Sequence, residues 1–299
     1  MDDKAKQLLK LIEDKIQALA EETDSVRFSD TFISYLAVIG RFHHYSFRNQ
    51  LLISFGYPNA THVAGYKDWA RKFNRQVKKG EHGIAILAPV IGKKPERKNT
   101  SDADENEKEG VIITTDEDGY LRFGKDFITY RTVYVFDVSQ TEGDPLPESP
   151  NWHDFEKNPE VEAALKSFAT SKGIKIEIVE SLHGADGASS GGKIRILPKA
   201  GTRTMIHELA HEILHWGHPE LKLSTKQEEI EADATAFVVA QYFNISQDPQ
   251  TSPNYLALHN ADSKAILACF NRIRETSVQI IEAIELGMDR STKKMEGAA

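Results

Sequence analysis

The chain has 299 residues, of which 40% are hydrophobic and 27% are charged, and its net charge is −8. This length allows two globular units, and the composition is too apolar for general disorder. No uncharged apolar run reaches the roughly 18 residues that a bilayer requires, and no secretory core follows the charged N-terminus, so no membrane partner is expected. The single cysteine, Cys269, cannot form an internal disulfide, and the predicted compartment is the reducing cytoplasm.

The first half of the chain combines helical and strand patterns. Apolar residues at helical spacing predict helices over residues 4–20, 29–44, 46–53 and 66–73. Apolar or alternating runs predict strands over residues 84–91, 111–115, 120–123 and 131–136. Residues 92–110 contain no large apolar side chain, and residues 92–118 are predicted to form a mobile acidic loop. The first unit is therefore predicted to be α+β.

Three prolines within residues 141–150 disfavour both helix and central strand. We therefore predict a first domain over residues 1–143, a linker over 144–152 and a second domain over 153–299. In the second domain the patterns predict helices over 161–171, 204–216, 226–243 and 263–286, and strands over 174–179 and 193–197.

The charges are distributed unevenly along the chain. Residues 41–98 carry twelve lysines and arginines against three acids, whereas residues 99–118 carry eight acids and one lysine. A basic block inside an acidic protein favours a polyanionic partner, although a solvated basic face would explain it as well.

The strongest motif is His207-Glu208-Leu209-Ala210-His211, within a helical pattern that ends at Gly217. Histidines four residues apart lie on one helical face, so both rings could bind one zinc ion. Glu208 would then be the catalytic general base, because a catalytic zinc site holds a water molecule at its open position. The alternative is a pair of structural histidines.

A third ligand is expected from the next helix. Thr225 and Glu228 have the spacing of a capping box, which predicts a structural role for Glu228. Glu229 is the predicted third zinc ligand, and Asp233 is the predicted acceptor that orients one histidine ring. Glu231 or Asp233 could instead be the ligand, and the acids could also form a solvated face near the helix start.

His215 is predicted to be a helix-end histidine with its own hydrogen-bond partners, because it lies two turns from His207. The longer zincin pattern with a third histidine is absent, since that position is Gly217.

Several motifs together resemble known families. His207 to His211, followed by Glu229-x-x-Ala232-Asp233, resembles the gluzincin-like ImmA/IrrE metallopeptidases. Four further segments resemble the N-terminal domain of ArdC-type antirestriction proteins, which conjugative plasmids carry; these segments are residues 47–53, 65–69, 77–84 and 135–143. The resemblance covers nearly the whole chain. It implies an N-terminal domain that binds single-stranded DNA, a zincin-like (gluzincin-type) metallopeptidase domain, and protection of incoming plasmid DNA.

The residues give independent support for DNA binding, because cations interleave with aromatics between Arg41 and Lys79. Tyr66 and Trp69 are the aromatics predicted to stack on bases, whereas most of the others are expected to be core. The full set of predicted DNA-binding residues is Arg48, Tyr66, Lys67, Trp69, Arg71, Lys72, Arg75, Lys78 and Lys79.

Three functions compete at this point. The first is an antirestriction protein with a zinc peptidase site. The second is a zinc metalloprotease that cleaves a regulatory protein, in which the N-terminal domain recognises protein rather than DNA. The third is a DNA-binding protein whose metal is structural. The sequence does not identify the protein substrate.

Overall fold

The computed structural model describes residues 1–22, 24–93, 113–115, 121–123, 126–146, 157–182, 184–245, 258 and 261–296. The first part of the chain contains α1 (Asp3–Ala20), α2 (Ser25–Arg41), α3 (Phe47–Gly56), β1 (Val63–Gly65), α4 (Tyr66–Phe73), β2 (Arg75–Val77), β3 (Ile84–Lys93), β4 (Ile113–Thr115), β5 (Leu121–Phe123), β6 (Asp126–Asp137) and β7 (Thr141–Gly143). The second part contains α5 (Pro159–Ser171), β8 (Lys175–Ile178), β9 (Gly187–Ser189), β10 (Lys193–Ile196), α6 (Thr202–Leu214), α7 (Thr225–Tyr242) and α8 (Ser263–Glu296). The predicted α+β class is confirmed.

The chain forms two compact units. Unit 1 comprises residues 1–12 and 52–144, and unit 2 comprises residues 13–51 and 145–299. The break between Asp144 and Pro145 falls in the predicted linker, whereas residues 13–51 lie in unit 2 and not with the rest of the predicted first domain. The predicted linker residues 147–152 lie outside the described residues.

Unit 1 is built on an antiparallel sheet in which β6 pairs with β1, β3 and β5, and β5 pairs with β4. The longest pairing joins β3 to β6, from Ile84 opposite Val135 to Lys93 opposite Asp126. Alternation along these strands buries Ile84, Ile86 and Val135 on one face. Strand β3 includes residues 92 and 93 of the predicted acidic loop, and residues 94–112 and 116–118 of that loop lie outside the described residues.

The end of β6 is fixed by the buried carboxylate of Asp137. Its oxygens accept hydrogen bonds from the backbone N–H groups of Thr61 (2.7 Å), His62 (3.1 Å) and Ser139 (2.9 Å). Burial opposes the charged form, but these hydrogen bonds and that from the Ser139 hydroxyl outweigh it and lower the pKa of Asp137. Asp137 therefore fastens the turn after β6 to the segment before β1.

Unit 2 packs helices against a three-stranded sheet. The strand order is β8–β10–β9, with β10 parallel to β8 and antiparallel to β9. The core lies between this sheet and helices α5 to α8, and its buried side chains include Leu165, Ile194, Met205, Ile206, Leu209, Phe243, Ile280, Ile281 and Ile284.

Helix α2 belongs to unit 2 because its aromatic face meets α8. The ring centroids of Phe32 and Phe270 lie 4.4 Å apart, and Phe47 stacks on the same ring at 4.7 Å. The side-chain amide of Gln50 donates to the Phe42 carbonyl at 2.9 Å and so fixes α3 beside the end of α2. Amphipathic spacing predicts that α2 has a buried face, but it does not specify the partner.

Within the described ranges, no helix combines the length and the apolar character needed to cross a bilayer.

Candidate metal centre

Helix α6 places His207 and His211 on one face, as their spacing predicts. Their Nε2 atoms lie 3.1 Å apart, and both side chains are largely buried. The helix is held by Met205, Ile206 and Leu209, which pack into the core of unit 2. The two ring nitrogens therefore converge from a rigid element.

Helix α7 brings the carboxylate of Glu229 to the same point. One oxygen lies 3.5 Å from Nε2 of His207, and the other lies 3.4 Å from Nε2 of His211. The ligand atoms of these three residues all lie within 4.8 Å of one another. The cluster of His207, His211 and Glu229 could hold one divalent metal ion, with the partly exposed Glu229 on its open side.

Asp233, one turn after Glu229, lies behind His207. Its carboxylate is 3.1 Å from Nδ1 of His207 and 3.5 Å from a guanidinium nitrogen of Arg203. A hydrogen bond at Nδ1 leaves the Nε2 lone pair for the cluster and fixes the plane of the ring. Asp233 occupies the orienting position that the sequence predicts.

A second chain of contacts lies behind His211. Its Nδ1 is 3.2 Å from Nδ1 of His215, and Nε2 of His215 is 3.3 Å from the Glu231 carboxylate. A His211 that presents its Nε2 lone pair to the cluster carries its hydrogen on Nδ1 and donates it to His215. His215 in turn donates from Nε2 to Glu231, which also accepts from Nε of Arg272 at 3.0 Å.

These contacts discriminate between the three candidate acids. Glu231 is 1% exposed and is paired with His215 and Arg272, so it does not face the cluster. Asp233 contacts Nδ1 rather than Nε2 of His207. Glu229 is the acid whose oxygens approach both Nε2 atoms. The prediction that His215 has partners of its own agrees with its contacts, although the sequence does not reveal that one partner is His211.

The cluster has opposing electrostatic effects on its two imidazoles. Burial lowers the pKa of His207, but hydrogen bonds with Asp233 and Glu229 outweigh burial and raise that pKa to about 9. Burial and the neighbouring charge of His207 lower the pKa of His211 to about 4. A metal ion bound by both rings must therefore displace a proton from His207 at neutral pH.

Glu208 lies beside the cluster on α6 and is buried. Burial raises the pKa of its carboxyl group, although the backbone N–H of Ser189 donates to it and has the opposite effect. Gly187 permits this approach of β9 to α6, because a Cβ there would lie 2.7 Å from Cγ and Oε1 of Glu208. The catalytic base predicted from the sequence is thus held between a helix and a strand.

Glu212, one turn further along α6, fastens the turn between β9 and β10. Its carboxylate accepts hydrogen bonds from the backbone N–H groups of Ser190 (3.0 Å), Gly191 (2.9 Å) and Gly192 (2.6 Å). Because the two glycines have φ angles of +73° and +81°, the turn needs residues without a side chain. The sequence motifs do not include Glu212. Its spacing of four residues from Glu208 indicates that both carboxylates lie on one face of α6.

The capping-box prediction for α7 is wrong by one residue. Ser224 is the N-cap, its hydroxyl accepts from the Gln227 backbone, and the Gln227 side chain accepts from the Ser224 N–H. The pairs Ser224–Gln227 and Thr225–Glu228 both have the required spacing. The box is formed by Ser224 and Gln227, so Thr225 is the first helical residue. Glu228 is not part of the box.

Trp69 and Arg75 have structural contacts instead, and Arg48 lies outside unit 1. Trp69 is 1% exposed, and its Nε1–H donates to the Phe136 carbonyl at 2.9 Å, so the prediction that it stacks on bases is wrong. The guanidinium group of Arg75 donates hydrogen bonds to Thr141, Gly143 and Asp144 within unit 1. Arg48 is half-buried in α3 and belongs to unit 2.

The remaining predicted DNA-binding residues are exposed in unit 1. They are Tyr66, Lys67, Arg71, Lys72, Lys78 and Lys79. Lys72 lies 3.5 Å from Asp68, and Nζ of Lys78 donates to the Ser139 carbonyl at 2.9 Å.

The chain is similar to one curated protein and to two crystal structures. It is 24% identical to the uncharacterised protein pXO2-81 of Bacillus anthracis, in an alignment that covers 98% of this chain and 54% of that protein. The chain thus spans about half the length of this relative. It is also similar to the crystal structures of the antirestriction protein ArdC from plasmid R388. The metal-free form has a TM-score of 0.45 and 17% identity over 81% of this chain and 85% of that chain. The Mn(II)-bound form has a TM-score of 0.42 and 15% identity over 85% and 97%.

The family comparison concerns the first part of the chain. Residues 4–127 match the sequence profile of the N-terminal domain of anti-restriction factor ArdC. This range contains three of the four segments whose resemblance to ArdC-type proteins was noted in the sequence. Over residues 4–127 the chain is therefore similar to the N-terminal domain of ArdC, and the resemblance to ArdC-type proteins is confirmed for this range.

Proposed function

We propose that this protein is an antirestriction protein of a conjugative plasmid that binds single-stranded DNA and carries a zinc metallopeptidase site. The antirestriction part is supported by the ArdC-type domain over residues 4–127. The observation that carries the peptidase part is the convergence of His207, His211 and Glu229 within 3.1–3.5 Å. The peptidase site lies in a zincin-like domain that spans residues 153–299.

The donor set and its dimensions fit zinc. Two imidazole nitrogens and one carboxylate oxygen are a known ligand set of catalytic zinc sites. With zinc–ligand bonds of about 2.0–2.2 Å, two ligand atoms of a tetrahedral site lie roughly 3.3–3.6 Å apart. The separation of the two Nε2 atoms and the distance from each Nε2 to one Glu229 oxygen are close to this range, so the three side chains are placed to serve as ligands of such a site.

The chemistry proposed for the site is peptide hydrolysis. When bound, zinc would polarise a carbonyl group and lower the pKa of a bound water molecule to about 7. The Glu208 carboxylate would accept a proton from the attacking water and return it to the leaving amine. Burial raises the pKa of Glu208, which makes it a stronger base than an exposed glutamate. An extended peptide could pair with β9, the last strand in the order β8–β10–β9.

The peptidase proposal is tested on the purified full-length chain. We expect about one zinc ion per chain by mass spectrometry, cleavage of a peptide library by the zinc-loaded protein, and loss of cleavage after chelation. Zinc at this stoichiometry without cleavage of any library member would favour a structural metal. Absence of bound zinc and of zinc binding after chelation and reloading would overturn the assignment.

The DNA-binding proposal rests on the cations exposed on unit 1. Lys67, Arg71 and Lys72 lie on α4, and Lys78 and Lys79 follow β2. Phosphate contacts made by such a surface release counterions, so the affinity for a single strand should fall with salt at a log–log slope of about −0.7 per contact. We expect tighter binding of single strands than of duplex, with little base preference.

A salt titration with labelled single-stranded and duplex oligonucleotides tests this part separately. Equal affinity for the two forms, or affinity indifferent to salt, would contradict it. If the protein cleaves a protein substrate but binds neither form, the alternative applies, in which the N-terminal domain recognises protein.

A further inference from the structure

Three aromatic rings of unit 1 lie close together at one face of its sheet. Tyr134 and Phe136 lie two residues apart on β6 and therefore share a face. The ring of Tyr66, at the start of α4, meets that of Phe136 edge-to-face, with centroids 6.1 Å apart. Tyr66 is 62% exposed and Tyr134 is 53% exposed. We call these three residues the aromatic surface.

Small residues beneath the rings leave them open to solvent. Ala64 is the β1 partner of Phe136, and Ala85 is the β3 partner of Tyr134. Gly83 lies under both rings, because a Cβ there would be 2.8 Å from Cβ of Tyr134 and 3.0 Å from Cζ of Phe136. The rings therefore rest on backbone, and paired strands fix their positions.

The segment that contributes Tyr66 to the aromatic surface is rich in positive charge. The segment from Tyr66 to His82 contains six lysines and arginines and two acids. Lys67 follows Tyr66 directly, and Lys78 is bonded to the carbonyl of Ser139, three residues after Phe136. This local charge has the opposite sign to that of the whole chain, which carries −8.

Exposed rings beside cations match the chemistry of single-stranded nucleic acid. Aromatic side chains stack on base faces, and lysines and arginines contact the phosphates between them. A duplex hides its base faces within the stack and offers only base edges in its grooves. A second copy of this acidic chain could also be attracted to these cations. The experiment below therefore measures the oligomeric state as well.

We propose that the aromatic surface is the place where unit 1 stacks the bases of single-stranded DNA, with Tyr66 and Tyr134 as the contacting rings. This inference rests on the proposed single-strand binding and assigns it a location. It keeps Tyr66, which the sequence also predicts to stack on bases, and Tyr134 takes the place of the predicted Trp69. The buried indole of Trp69 supports β6 from below, because it donates to the Phe136 carbonyl.

The test uses the full-length protein and a fluorescein-labelled oligothymidylate in an anisotropy titration. Removing one stacked ring costs about 1–3 kcal/mol, so Tyr66→Ala and Tyr134→Ala should each weaken binding by roughly 5- to 150-fold. Their salt slopes should stay unchanged, since stacking moves no counterions. Tyr66→Phe and Tyr134→Phe should bind within about twofold of the parent protein, because they keep the ring. Val90→Ala is the matched control, because Val90 is partly exposed on the opposite face of the same sheet.

The outcomes separate this inference from the function on which it rests. If the parent protein binds the oligonucleotide and both alanine variants bind equally well, the location is wrong and single-strand binding stands. If the parent protein does not bind the oligonucleotide, both the location and the proposed single-strand binding are wrong. A dimer dissolved by both alanine substitutions, with unchanged DNA affinity, would assign the surface to a second copy. Photo-crosslinking with an iodouracil oligonucleotide should label peptides that contain Tyr66 or Tyr134, and labelling confined to other peptides would also refute the location.

Discussion

The metal cluster and the aromatic surface are built in opposite ways. In the cluster, each histidine has a hydrogen-bond partner behind it, Asp233 for His207 and His215 for His211. In the aromatic surface, the rings of Tyr66 and Tyr134 are more than half exposed. Tyr134 lies against the backbone of Gly83, and Tyr66 lies against the ring of Phe136. A metal ion requires lone pairs aimed at one point, whereas a base can stack on any open ring. The difference shows that directional binding recruits buried partners and that stacking does not.

The largest effect is expected from removal of a metal ligand. His211→Ala should abolish zinc retention, because two remaining protein ligands do not complete a catalytic site. Metal analysis after dialysis measures this directly. Exposed His218→Ala is the control and should keep the metal, since His218 pairs with Glu220 rather than with the cluster. Full zinc occupancy in the His211→Ala protein would remove the cluster from consideration.

Glu208→Gln should separate metal binding from chemistry. The amide cannot accept a proton, so hydrolysis should fall by about 10²- to 10⁴-fold while zinc content stays at the parent level. Peptidase assays and metal analysis on the same preparation provide both readouts. Loss of zinc in this variant would instead mean that Glu208 supports the ligands.

Asp233→Asn should weaken the cluster without emptying it. The amide is a poorer acceptor for Nδ1 of His207, and loss of such an outer partner costs about 10- to 100-fold in metal affinity. Competition with a chromogenic chelator measures the change. Asp186→Asn, which breaks only the exposed ion pair with Lys199, should leave zinc affinity unchanged. Equal affinities of the two variants would show that the partner behind His207 is dispensable.

Asp137→Asn tests how much the hydrogen bonds at the end of β6, the strand that carries Tyr134 and Phe136, stabilise the fold. The folded-state pKa of Asp137 is lowered, so its contribution is fully present above the unfolded-state pKa and is lost as pH falls through the folded-state pKa. Hydrogen bonds to a charged acceptor are worth about 2 kcal/mol. The variant should lose about that much of the free energy of unfolding at pH 7, as measured by urea unfolding. The gap should narrow in acid, and a constant gap down to pH 2 would contradict the prediction.

Trp69→Phe should have the smallest effect on binding. It removes one hydrogen bond to the Phe136 carbonyl, which costs about 1 kcal/mol of stability, but it leaves the exposed rings in place. Oligonucleotide affinity should stay within about twofold of the parent value. A larger loss, in a variant with an unchanged circular dichroism spectrum, would show that the indole itself contacts DNA.

Local spacing explains what the sequence could predict. The placement of His207, Glu208 and His211 follows from 3.6 residues per turn, which needs no tertiary information. The choice of Glu229 over Glu231 depends on how α7 rotates against α6, because residues two apart on a helix face different neighbours. The sequence leaves this choice open. In the structure Glu231 pairs with Arg272, and Glu229 is the acid that approaches both Nε2 atoms.

Long-range pairing explains what the sequence could not predict. Strands β1, β2 and β7 have three residues each, too few for a periodic pattern to be recognised. Trp69 has charged neighbours in the sequence, which is the pattern of an exposed ring. It is buried in the structure, and its hydrogen-bond partner Phe136 is 67 residues away in the chain, so local sequence does not reveal the contact. Tyr134 sits in an alternating strand whose two faces look alike until Ala64, Ala85 and Gly83 are placed beside it.

The attachment of the β9–β10 turn to Glu212 has a consequence for the proposed peptide site, because it separates what positions β9 from what would select a peptide. All three hydrogen bonds to Glu212 come from backbone N–H groups, so this attachment to α6 does not depend on the side chains of the turn. If a peptide pairs with β9 as proposed, substitutions at outward positions of this strand would alter which peptides it accepts, while α6 would keep the strand in place. Substrate preference and the position of the strand would then depend on different atoms.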